Sequence, residues 1–105
     1  MKPAVRQFTT SFPGGQSIGA TEPITSFNLP TGQYKAEVYC QVGAWASISI
    51  DQESEYYQSY NTNLTPVIFS IVEPVNGVLS FTLTAEYTGA ITATGVIVIT
   101  PIELV

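Results

Sequence analysis

Histidine is absent from this chain of 105 residues, and cysteine occurs once. Without histidine, a catalytic site built on a nucleophile and an imidazole base cannot be assembled. The single cysteine, Cys40, cannot form an internal disulfide, which is typical of a protein in a reducing compartment. It lies among alternating apolar residues, so we expect a buried and unreactive thiol. The sequence therefore predicts a protein that is not an enzyme and that needs no cofactor.

Charge is also scarce, since charged residues make up 10% of the chain and the net charge is −5. The only cations are Lys2, Arg6 and Lys35. Nucleic-acid binding needs clustered lysine and arginine, so nucleic acid is not an expected partner. No apolar run approaches the roughly 20 residues that span a bilayer, and no membrane partner is expected. The residues after Met1 lack the apolar segment of a secretory signal, which favours synthesis in a host cytoplasm.

Helical periodicity is missing as well, whereas Thr, Val, Ile, Tyr and Phe dominate and turn residues recur at the spacing of short strands. The clearest alternation of apolar and polar residues runs from 34 to 42. It assigns Cys40 to the core face and Glu37, Tyr39 and Gln41 to the solvent-exposed face. Strands are predicted over 6–12, 24–29, 34–42, 45–50, 67–73, 78–87 and 90–102. The polar segment 51–65 suits an edge strand or a long loop.

Seven to eight strands at this spacing predict an all-β fold, a single antiparallel two-sheet β-sandwich of jelly-roll or related Greek-key type. We expect the strand at 45–50 to pair with the preceding strand as a hairpin. Asn76 and Gly77 favour a second hairpin, because both positions of this turn tolerate positive φ. Residues 1–23 are predicted to form an N-terminal arm with a lead-in strand, and residues 24–105 the sandwich domain.

The last predicted strand is apolar on both faces. Side chains alternate along a strand, so Val96 and Val98 point to one side and Ile97 and Ile99 to the other. Only one face of an antiparallel strand can meet the core of so small a domain. We therefore expect a second copy of the chain to cover the other face.

One acidic cluster is a candidate metal site. Asp51, Glu53 and Glu55 alternate, which would place three carboxylates on one side of an extended strand. Such oxygen ligands suit Ca²⁺, and paired carboxylates also act on sugars. The leading interpretation, however, is a solvated sheet edge on which charge prevents unwanted strand pairing, with no metal bound.

Aromatic residues supply two further candidates. Tyr56, Tyr57 and Tyr60 are interleaved with amides, and this combination suits a protein interface or a carbohydrate surface. Trp45 follows a glycine-containing turn, and so large an aromatic side chain either fills the core or anchors a partner.

The segment 29–38, Leu-Pro-Thr-Gly-Gln-Tyr-Lys-Ala-Glu-Val, and the later segment 94–99, Thr-Gly-Val-Ile-Val-Ile, resemble the small jelly-roll head domains of the tumour-necrosis-factor and C1q type. Similar domains are carried by bacteriophage head-decoration proteins and fibre tips. The resemblance covers about residues 24–105 and implies a homotrimer packed around a threefold axis by apolar and aromatic strand faces. The interface candidates that it implies are Val96, Val98, Trp45 and Tyr39.

Two functions follow as hypotheses. The leading one is a non-enzymatic virion structural protein, a trimeric phage capsid decoration or cement protein that binds the major capsid protein or another virion protein. The alternative is a carbohydrate- or receptor-binding head domain of a tail fibre, or a stand-alone binding module. In that case Tyr56, Tyr57 and Tyr60 are the candidate ligand surface.

Overall fold

Eight β-strands make up the described part of the chain. The computed structural model describes residues 2–50 and 66–102, and between them the backbone of one strand at 53–58. The strands are β1 (Ala4–Phe12), β2 (Thr21–Asn28), β3 (Tyr34–Val42), β4 (Trp45–Ile50), β5 (Glu53–Gln58), β6 (Val67–Val72), β7 (Val78–Ala85) and β8 (Ile91–Pro101). Within these described ranges, no helix has the length and apolarity to cross a membrane.

The strands form two four-stranded sheets with the orders β1-β8-β3-β6 and β2-β7-β4-β5. Strands that follow each other in the chain lie in opposite sheets, except for β4 and β5. Neighbouring strands within each sheet are antiparallel. This order is that of a jelly roll, so the prediction of an all-β two-sheet sandwich is confirmed.

The core lies between the two sheets and is built from the alternate residues of each strand. In β3 the predicted core face is buried, with Val38 and Cys40 fully enclosed, while Lys35, Glu37, Tyr39 and Gln41 are partly or fully exposed on the other face. The second sheet contributes Ile48 and Phe81, both almost fully buried. Burying one such large apolar side chain stabilises the fold by about 1.5–3 kcal/mol. Side-chain alternation therefore determines which face of each sheet is left for a ligand.

The boundary that the sequence suggested at residue 23 does not separate an arm from the sandwich. Strand β1 pairs with β8 along its whole length, from Ala4 opposite Ile99 to Phe12 opposite Ile91. Its inner face also places Phe8 and Phe12 in the core. Pairing between segments so distant in sequence leaves no local signal, and the outer face of β1, polar apart from Val5, resembles that of an unattached arm.

Both predicted hairpins are wrong, because β3 and β4 lie in different sheets, as do β6 and β7. The Asn-Gly turn itself is present, with φ of 53° at Asn76 and 79° at Gly77. It is closed by reciprocal backbone hydrogen bonds of 2.8 and 3.1 Å between Val75 and Val78. Beyond this turn the chain crosses between the sheets. Turn residues specify the local reversal, whereas burial of both strands' apolar faces decides the sheet to which each strand belongs.

Candidate functional site

The outer face of the first sheet carries an open groove of about 840 Å³. This volume lies within the range of about 300–1,000 Å³ that is usual for small-molecule sites. The groove runs over β1, β8 and β3, and its lining consists of Gln7, Phe8, Thr9, Tyr39, Gln41, Thr94, Gly95, Val96 and Val98.

Strand register places the outward side chains of the groove in two rows. In the first row, Gln7 of β1 lies opposite Val96 of β8, which lies opposite Tyr39 of β3. In the second row, Thr9 lies opposite Thr94, which lies opposite Gln41. Side chains directly opposite each other on neighbouring strands are close enough to interact. The groove thus combines one aromatic ring, an apolar floor, two amides and two hydroxyls.

The two threonines are hydrogen-bonded to each other, and Thr94 is also bonded to the backbone of β1. The Thr94 hydroxyl donates to the Phe8 carbonyl at 3.2 Å, and its oxygen lies 3.0 Å from the Thr9 hydroxyl. A hydroxyl has one proton, so Thr9 is the donor in the second bond whenever Thr94 donates to Phe8. Both protons are then used within the protein. The remaining lone pairs make this end of the groove an acceptor of hydrogen bonds from a ligand.

The Tyr39 ring is held by a carboxylate. Its phenol donates a hydrogen bond to Glu37 Oε2 at 3.1 Å, and Glu37 Oε1 lies 3.7 Å from Lys35 Nζ. The hydrogen bond to Glu37 raises the pKa of Tyr39, and desolvation and the negative charge of Glu37 act in the same direction. The phenol is therefore protonated at neutral pH, and its ring presents an uncharged flat surface.

The amides of Gln7 and Gln41 have no hydrogen-bond partner among the residues that the structure describes. Each amide offers two N–H donors and one carbonyl acceptor. Both side chains belong to exposed residues, at opposite corners of the two rows. They are the principal hydrogen-bond donors that the groove can offer to a ligand.

The apolar part of the face extends beyond the groove. Val96 and Val98 are half-buried, whereas Ile97 and Ile99 lie fully in the core, as the alternation of the last strand predicts. Next to Val98 on β1 lies Val5, which is 62% exposed. One face of β8 thus packs in the sandwich, and the other forms an apolar strip on its surface.

The predicted interface residues are brought together only in part. Tyr39, Val96 and Val98 share the groove, whereas Trp45 begins β4 in the other sheet. Trp45 is 45% exposed, so it does not fill the core. Sequence reasoning assigned Gln41 to the outer face of β3 but not to a site, and it missed Gln7, Thr9 and Thr94 altogether. Their place beside Tyr39 depends on strand order, for which a single strand pattern carries no signal.

The remaining candidates lie outside the described residues. These are Asp51 and Tyr60 and the side chains of Glu53, Glu55, Tyr56 and Tyr57. In the part of the chain whose side chains are described, no group of three or more His, Cys, Asp or Glu residues is placed to hold a metal ion.

No protein-family model and no curated protein matches the chain. Among solved structures, the chain is similar to the CBM36-1 domain, a carbohydrate-binding module, of a multidomain xylanase from the hindgut metagenome of Trinervitermes trinervoides. The TM-score is 0.58 at 11% sequence identity, and the match covers 98% of this chain and 100% of that one. The likeness is one of fold, a jelly-roll-like sandwich shared with a carbohydrate-binding module. It lends no support to the resemblance to tumour-necrosis-factor, C1q or phage proteins.

Proposed function

We propose that this chain is a non-catalytic carbohydrate-binding domain that holds a glycan in the groove of the first sheet. The observation that carries the proposal is the position of Tyr39 beside the side-chain amides and hydroxyls of the two rows. A sugar ring has apolar C–H faces and a rim of hydroxyls. A tyrosine ring complements those faces, and amides and hydroxyls complement the rim.

The fold likeness to a carbohydrate-binding module supports a binding role, which is the alternative drawn from the sequence. Hydrolysis of a glycosidic bond ordinarily requires two carboxyl groups that flank the bond. None of the described residues that line the groove carries a carboxylate, and Glu37 beside the groove is engaged by Tyr39 and Lys35. Binding without cleavage is the activity that this set of residues favours.

The test is binding to a glycan array, followed by affinity electrophoresis in gels that contain the soluble polysaccharides bound on the array. Tyr39→Ala should weaken binding more than about tenfold, because truncating a central aromatic contact typically costs at least about 2 kcal/mol. Trp45→Ala is the matched control, since it removes an exposed aromatic side chain from the other sheet. We expect that variant to bind normally.

Two results would overturn the proposal. The first is the absence of binding to every glycan on the array. The second is the reverse pattern, in which Tyr39→Ala binds normally and Trp45→Ala does not. That pattern would move the ligand to the second sheet.

Self-association through the same face is a second candidate. The exposed Val5 and the half-buried Val96 and Val98 favour it, because a second copy would cover their apolar surface. A capsid decoration protein would use such a contact, but neither the fold nor the comparisons support a virion location.

A further inference from the structure

We infer that the groove selects uncharged glycans and that Glu37 is the residue that excludes carboxylated ones, an inference that rests on the proposed function. Glu37 lies opposite Val98 of the groove floor and binds the phenol of Tyr39. Its carboxylate is therefore next to the surface on which a sugar ring would stack.

The cations of the chain are poorly placed to offset this carboxylate toward an acidic ligand. Lys35 is held by Glu37 itself, at 3.7 Å. Arg6 reaches to the edge of the second sheet, where it donates to the Ser26 carbonyl and lies over the Phe27 ring. Lys2 precedes β1, and the net charge of the chain is −5. An anionic glycan would approach a negatively charged protein and would have to compete with Glu37 for Lys35.

The direction of the hydrogen bonds in the groove also disfavours carboxylated glycans. Thr94 and Tyr39 donate their protons within the protein, to the Phe8 carbonyl and to Glu37, and these two oxygens therefore present only lone pairs to a ligand. An ionised carboxylate is itself only an acceptor and cannot bond to them, whereas a sugar hydroxyl can. The amides of Gln7 and Gln41 can donate to either group and therefore do not discriminate.

The electrostatic part of the discrimination between uncharged and carboxylated glycans is modest for each carboxylate. It increases with the number of carboxylates along a polysaccharide. Two like charges about 4 Å apart in water repel by an amount that corresponds to about a fivefold loss in affinity. Salt reduces this effect when the charges are exposed. We therefore expect weaker binding of carboxylated chains at low ionic strength, and a smaller difference at high ionic strength.

The experiment compares polysaccharides that share a backbone and differ in charge. The probes are hydroxyethyl cellulose against carboxymethyl cellulose, unsubstituted xylan against glucuronoxylan, and methyl-esterified against de-esterified homogalacturonan. For each backbone that is bound, the uncharged member should bind at least about fivefold more tightly at low salt. Glu37→Gln should reduce this difference in affinity, because it should strengthen binding of the charged polysaccharide alone. A glutamine can still accept the hydrogen bond from Tyr39, so the ring keeps its support.

Lys35→Gln is the matched control, because it removes the other member of the ion pair. It should increase the difference in affinity between the charged and the uncharged polysaccharide or leave that difference unchanged. Equal affinity for both members of a pair would overturn this inference and leave the proposed function standing, as would a Glu37→Gln variant that weakens both members equally. The absence of binding to every glycan on the array would instead overturn the proposed function itself. Melting temperatures near that of the native chain verify that both variants are folded.

Discussion

Gly95 of β8 lies directly against the backbone of Tyr39 in β3. A Cβ atom at position 95 would overlap the Tyr39 carbonyl oxygen and would lie 2.9 Å from the Cα atom of Cys40. Only glycine permits this approach of the two strands. Because Gly95 also lines the groove, the close approach of β8 to β3 is part of the site's floor.

Gly95→Ala should destabilise the protein by about 1–3 kcal/mol, because a methyl group forced into a well-packed position displaces backbone. Gly43→Ala is the control, since its Cβ would lie at an ordinary 3.7 Å from the Thr92 carbonyl oxygen. Urea unfolding monitored by tryptophan fluorescence measures both variants. Equal midpoints for the two would contradict the assigned pairing of β3 with β8.

Burial of the Cys40 thiol predicts that the folded protein loses stability at high pH. Desolvation raises the pKa of Cys40 from 9.0 to about 11, against a smaller lowering by the backbone of Thr94. The unfolded chain releases this proton first, so the contribution to stability is complete below pH 9 and is lost as the pH rises to about 11. Cys40→Ala should therefore lose less stability over that interval than the native chain. Free energies of unfolding at a series of pH values test this difference.

Native Cys40 should also react slowly with a thiol reagent below pH 9, because its side chain is fully buried and largely protonated. Denaturant should restore rapid labelling. Rapid labelling of the native protein would mean that the faces of β3 are assigned the wrong way round.

Arg6 bridges the open side of the sandwich between β1 and β2. Its guanidinium lies 4.7 Å from the centre of the Phe27 ring and donates to the Ser26 carbonyl. Arg6→Lys keeps the charge but loses the planar guanidinium, which both stacks on the Phe27 ring and donates to the Ser26 carbonyl. We therefore expect destabilisation of about 0.5–1 kcal/mol. Thermal unfolding is the measurement, and Lys2→Ala is the control. Equal melting temperatures for the two variants would show that the bridge is not stabilising.

Sedimentation velocity separates the two candidate uses of the outer face. If the groove is open for a glycan, the chain should sediment as a monomer at micromolar concentration, and Val98→Asp should leave its mass unchanged. If a second copy covers the face, the native chain should sediment as an oligomer, a trimer by the resemblance. Val98→Asp should then yield monomers, because it would bury an unpaired charge.

Local patterns predicted most of the strands but not their neighbours. The alternation from Tyr34 to Val42 was sufficient to identify β3 and its buried face. The Asn76-Gly77 turn was also predicted correctly, whereas the pairing of its flanking strands was not. A turn depends on a few dihedral angles, whereas sheet membership depends on burial across the whole molecule.

The same limit applies to the site. Tyr39, Val96 and Val98 could be chosen from the sequence because each belongs to a strongly patterned strand. Gln7 stands beside them only because β8 lies between β1 and β3. Nothing in the outer face of β1, which is polar apart from Val5, indicates this arrangement, since its partner strand β8 is distant in the chain.

The position of β8 between β1 and β3 also determines when the first sheet can be completed as the chain is synthesised. Among the strands that the structure describes, β1 pairs only with β8 in the first sheet, so β1 must wait for a strand that is made much later in the chain. Such non-local pairing is slow to form and leaves strand edges open in the meantime. A stalled or truncated chain without residues 91–101 would retain unpaired β1 and β3 edges. The groove therefore forms only when insertion of β8 completes both the first sheet and the surface that we propose binds the ligand.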